Sequence, residues 1–84
     1  MKHARSDYDQ IQDPRGLIPE DEPVFLLRGQ DIAASTTVAF WADQNDLHGG
    51  DPEASRLARM QAYKMQQWRT HKPADLTESE AADE

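Results

Sequence analysis

The chain has 84 residues, 37% of them apolar and 30% charged, with no cysteine and a formal charge of −7. A domain of this size buries only about 60–65% of the surface its unfolded chain exposes, so a marginal core is expected, with part of the chain ordered and part not. The lack of cysteine excludes disulfides, thiolate metal sites and a cysteine nucleophile, and the negative charge disfavours generic binding to nucleic acid or anionic membrane.

Residues 1–7 show no hydrophobic period and are expected to form a flexible end. Their basic residues precede no apolar segment, and no run of about 18 apolar residues occurs anywhere, so a cytoplasmic protein without a membrane span is expected. A single small domain is expected over residues 8–72. It opens with an extended arm, residues 8–23, in which Asp13, Pro14, Arg15 and Gly16 supply turn chemistry. Prolines at 14, 19 and 23 keep this arm from becoming helical.

The densest apolar run follows, Val24-Phe25-Leu26-Leu27-Arg28, bounded by Pro23 and Gly29, and reads as a short strand over residues 24–28. A helical turn with Pro23 at its first position is the alternative. As a strand it has two apolar faces and needs a ladder partner: the arm at Tyr8 to Gln12, a second copy of the chain, or another protein.

A first helix is expected over residues 34–47, starting between Asp31 and Ser35 and ended by His48-Gly49-Gly50. Ala34, Val38, Trp41 and Ala42 share one face, with Phe40 and Leu47 nearly opposite. A second helix is expected over residues 52–71, with Asp51 as cap and Pro52 at its first position, and with Ala54, Leu57, Ala58, Ala62, Met65 and Trp68 along one face, Gln61 among them. The short connection predicts an antiparallel hairpin. Residues 73–84, with five acidic residues and little to bury, read as a disordered acidic tail. The fold class is thus mainly α: a two-helix hairpin with an extended N-terminal arm containing one short β-strand.

The segments YDQIQDP and IPEDEPVFLLRGQD, a Trp-Ala pair in the first helix, and GGDP before a last helix carrying Met and Trp resemble small hypothetical proteins of tailed bacteriophages and their hosts. The resemblance spans Tyr8 to Trp68. It implies a phage or prophage setting, hence the cytoplasm of a bacterial host, with virion association as the alternative. It implies no activity and no site residue. Relatives carry a proline near Ser35 that this chain lacks, which leaves the start of the first helix open.

Candidate chemistry is sparse. Glu20, Asp21 and Glu22 suit a cation or a basic partner, but equally a solvated turn. Arg28, leaving an apolar run, is placed to hold a carboxylate, most simply Asp21, Glu22 or Asp31. The stretch Asp43 to Glu53 fails as a calcium loop, with Leu47 at a ligand position and His48 where glycine is required. His3, His48 and His71 lack zinc spacing, and Ser35, Thr36 and Thr37 fit capping better than catalysis. Basic residues of the second helix, with Tyr63 and Trp68, hint at nucleic acid, which the total charge opposes.

No enzyme, metal or cofactor is therefore expected. The leading expectation is a small acidic protein-binding protein of phage type that inhibits a host or defence component. Its candidate partner residues are Val24, Phe25, Leu26, Leu27, Arg28 and Phe40 together with Glu20, Asp21 and Glu22. The alternatives are a homodimeric structural or assembly protein and a nucleic-acid mimic.

Overall fold

The computed structural model describes residues 2–3, 13 and 15–74. Its elements are β1 (Lys2–His3), β2 (Pro23–Val24), α1 (Ala34–Leu47) and α2 (Pro52–Gln66). They belong to two compact units, one reaching up to Leu26 and the other comprising Leu27–Ala74.

In the first unit β1 and β2 run parallel, Lys2 opposite Pro23 and His3 opposite Val24. The strand expected over residues 24–28 is thus confined to Pro23–Val24, and its partner is Lys2–His3, from the end expected to be flexible. Residues 25–28 lie outside any strand. A ladder runs only as far as its shorter strand, here two residues, and Pro23 has no N–H to contribute. The expected partner, Tyr8 to Gln12, lies outside the described residues. Two turns precede β2. The Asp13 carboxylate accepts the N–H groups of Leu17 and Ile18 at 2.9 and 3.2 Å, and its carbonyl accepts from Gly16, which sits at φ 62°. The Glu22 N–H donates to the Pro19 carbonyl at 3.1 Å, closing the second.

The second unit is the helical hairpin. α1 starts at Ala34 without a side-chain cap on its N-cap residue, Ala33. Asp31 acts one step earlier: its carboxylate accepts the Ala33 N–H at 2.9 Å and its carbonyl the Ala34 N–H at 3.0 Å. The helix ends in a Schellman arrangement, with Gly50 N–H on the Asn45 carbonyl at 2.8 Å, Gly49 N–H on the Asp46 carbonyl at 3.1 Å, and Gly49 at φ 73°. Such a conformation is cheap for glycine alone. α2 begins as expected from its sequence: Pro52 takes the first position and the Asp51 carboxylate accepts the Glu53 N–H at 2.9 Å.

α2 ends at Gln66, five residues before the expected end. After Trp68 the chain turns back to pair with the entrance to α1. Lys72 N–H donates to the Gln30 carbonyl at 2.8 Å and Ile32 N–H to the Lys72 carbonyl at 2.9 Å, a parallel bridge between Asp31 and Lys72. His71 Nε2 lies 3.1 Å from the Met65 carbonyl, which also accepts the Trp68 N–H at 3.1 Å at the helix end. Of the acidic tail, residues 75–84 lie outside the described residues. Among the described residues no helix is long and apolar enough to cross a membrane.

The seam is built from small side chains. Ala34 and Ala42 of α1 and Ala62 and Met65 of α2 are buried with Ser55, while Val38 and Ala58 are half-buried. Trp41, which shares a face with Ala34, Val38 and Ala42, and Leu57 and Trp68, which share one with Ala58, Ala62 and Met65, are nonetheless about half exposed. Helical pitch sets Trp41 about 60° from Val38 and Leu57 about 100° from Ala58, at the margin of the seam.

A Cβ added at Gly50 would stand 1.9 Å from the Asn45 Oδ1. Gly50→Ala must therefore displace Asn45 and its hydrogen bonds to Asp51 and Ser55, and should destabilise the hairpin by about 1–2 kcal/mol, read as a lower urea midpoint at unchanged slope.

Candidate interaction surfaces

The interhelical turn that superficially fits a calcium loop has a different use. Asn45 Nδ2 donates to the Asp51 carbonyl at 3.0 Å and to the Ser55 hydroxyl at 2.8 Å. Ser55, 1% exposed, donates in turn to the Asp46 carboxylate at 2.5 Å, with the Ala42 carbonyl 3.3 Å away. The other Asp46 oxygen accepts from Arg59 at 2.8 Å, and Asp43 accepts from the same guanidinium at 2.9 Å. The acids of the loop are thus engaged by α2, and among the described residues no group of three or more metal-ligating side chains comes together. The Ser55 hydrogen bond, then the Arg59 hydrogen bond and charge, hold the Asp46 carboxyl below its ordinary value. Further along, Arg56 grips Glu53 through Nε at 2.9 Å and through Nη2, and holds that carboxyl down as well.

The residues expected to meet a partner are dispersed. Glu20, Asp21 and Glu22 occupy the exposed turn before β2. Val24 and Leu26 are half-buried and Phe25 is 56% exposed in the first unit, whereas Leu27, half-buried, and Arg28, exposed, belong to the second. The apolar run is therefore divided between units at Leu26 and Leu27 and does not present one continuous strand. Phe40 stands on the outer face of α1, 60% exposed, with Leu47 two turns later at 73%. Met60 and Tyr63 lie exposed on the outside of α2. Sequence reasoning set Phe40 and Leu47 opposite Ala34 and Ala42 without deciding which side met α2, and it missed the buried Ser55 because a small polar residue gives no apolar signal.

A second surface was not anticipated at all. An open groove of about 390 Å³ lies between the segment Arg28-Gly29-Gln30 and the last turns of α2, lined by Gln61, Lys64, Met65 and Trp68. Gly29 lies beside the base of the indole: a Cβ there would stand 3.5 Å from the Trp68 Cβ and 3.6 Å from its Cγ, an ordinary contact distance. The ring remains 47% exposed, and the Arg69 guanidinium carbon stands 4.8 Å from its centroid, within cation–π range. The sequence signal was present in the clustering of Lys64, Trp68 and Arg69, but the apposition of residues 28–30 depends on the Asp31 to Lys72 bridge, which has no local signature.

Fold and surfaces together define a small two-helix hairpin with an alanine seam and large apolar residues outside it. Comparison with known protein families, curated proteins and solved structures finds no match.

Because the folded Asp46 carboxyl titrates below its ordinary 3.8, its contribution to stability is complete above that value and is lost as pH falls through the lower folded value. Asp46→Asn should therefore be less stable than the parent at neutral pH and approach it in strong acid. Urea midpoints of both proteins across an acid titration check this, and a constant difference at all pH would contradict it.

Proposed function

We propose that the chain is a protein-binding module whose outer α1 face, centred on Phe40 and Leu47, docks on another protein. One observation carries this reading: the buried apolar side chains among the described residues are three alanines and one methionine, while Phe40, Leu47, Met60 and Tyr63 stand in solvent. Large apolar side chains contribute most when removed from water, at about 25 cal/mol per Å², and a fold that fills its seam with alanine leaves that contribution to an association. Aromatic and methionine side chains of this kind form the centre of protein interfaces. The helix geometry suits a groove on the partner, which would read Phe40 and Leu47 as anchors seven residues apart.

The resemblance to phage proteins supports a bacterial host or defence component as the partner, with the chain acting as an inhibitor by occupying that groove. Phe25, more than half exposed in the first unit, is a further candidate contact. The buried Ser55 hydroxyl is engaged by Asn45 and Asp46 within the hairpin.

Replacing Phe40 with Ser and Leu47 with Ser should leave stability within about 0.5 kcal/mol each, since neither contributes to the seam, and yet abolish retrieval of the partner by the tagged protein from host lysate. Light scattering on the purified chain separates the alternative: a dimer that the same substitutions dissociate makes the partner a second copy. A monomeric chain that retrieves nothing, or retrieves the same proteins with and without Phe40 and Leu47, overturns the proposal.

A further inference from the structure

The groove beside Trp68 has a chemistry opposite to that of the chain as a whole. The protein carries −7, yet the described residues that line the groove include Arg28 and Lys64 and no acid. Elsewhere on α2 the cations are spent within the fold: Arg56 on Glu53, and Arg59 on Asp43 and Asp46. Lys64, one turn from the end of the helix, forms no ion pair among the described residues. The side-chain amides of Gln30 and Gln61 and the indole N–H of Trp68 likewise take no hydrogen-bond partner there. Lys64, Gln30, Gln61 and Trp68 thus share the lining of one open surface groove of about 390 Å³.

We infer that this groove binds a short acidic peptide segment, seating a side-chain carboxylate at Lys64 and an adjacent apolar side chain against the face of Trp68. Every uncommitted polar group except the amide oxygens is a donor, and a carboxylate supplies up to four acceptor sites without adding a donor. Lys64 contributes a charge-assisted hydrogen bond, Gln61 and Gln30 supply amide N–H groups on either wall, and the indole gives apolar contact area that costs little side-chain entropy to fix. A polyphosphate would meet the same cations, but a long polyanion also meets the repulsion of the whole acidic chain, whereas a segment with one or two carboxylates samples mainly the local field. The site rests on the groove alone and is independent of the Phe40 face.

The test uses the full chain carrying Trp41→Phe, which leaves Trp68 as the single tryptophan reporter. A blocked tripeptide of two glutamates around one leucine is titrated in, beside the same peptide with glutamines and beside oligothymidylate. The acidic peptide should shift Trp68 emission saturably in the millimolar range and weaken with added salt. Lys64→Glu should reduce the affinity at least about tenfold, the loss expected when one charge-assisted contact is reversed, while Lys64→Arg retains it. Far-UV circular dichroism shows that each variant keeps its helices; a Lys64→Glu chain that loses them is replaced by Lys64→Gln, for which weaker binding is likewise expected. The inference is overturned if the glutamine peptide binds equally well, if no emission change occurs with the acidic peptide, if charge removal at Lys64 has no effect in a folded chain, or if oligothymidylate binds more tightly than the peptide.

Discussion

The hydrogen bond from the buried Ser55 hydroxyl to Asp46 is the point on which the hairpin depends. It lies where α2 has just left the turn, and it ties the second helix to the last turn of the first. Asn45 binds the same hydroxyl from the same helix, and Arg59 reaches back from the next turn of α2 to the other Asp46 oxygen. A buried hydroxyl without such partners would cost about 1–3 kcal/mol. With them satisfied, the helices can be set close enough for Ala34, Ala42 and Ala62 to form the seam. With Met65 the one large apolar side chain buried there among the described residues, Phe40, Leu47 and Tyr63 stay outside it.

Such an interior is unusual for a chain that needs burial to offset conformational entropy. Alanine removes little apolar area from water, so the hairpin relies more heavily than a larger domain on satisfied polar groups at its ends. At the turn these are the Schellman bonds of Gly49 and Gly50 and the Asp51 cap. At the other end they are the Asp31 to Lys72 bridge and the bond from His71 to the Met65 carbonyl. The exposed Phe40, Leu47 and Tyr63 are the complement of this arrangement: apolar mass that the seam leaves outside.

Elements with local punctuation were legible in the sequence. α1 and α2, their order and the tight connection follow from Gly49-Gly50 and Asp51-Pro52, residues whose backbone preferences operate without tertiary help. The strand was less so. Val24 to Arg28 has strand composition, but a ladder exists only where another segment lies alongside, and a two-residue partner at Lys2–His3 leaves no trace in a pattern read along the chain. The end of α2 was misplaced for a related reason, since the return of Lys72 to Gln30 and Ile32 interrupts a sequence that is still helical in character through His71. Of the site residues, Phe40 was recognisable by pitch, whereas the groove requires Gln30 and Gln61 to be brought together by that same long-range bridge.

The bridge between Asp31 and Lys72 also brings the two ends of the hairpin together. The chain enters and leaves the hairpin at neighbouring backbone positions, so its 42 residues from 31 to 72 form a closed circuit with a single point of connection. A segment built this way is a cassette: it can sit within a loop of a larger polypeptide, or be duplicated in tandem, without its host having to span any distance between the two junctions.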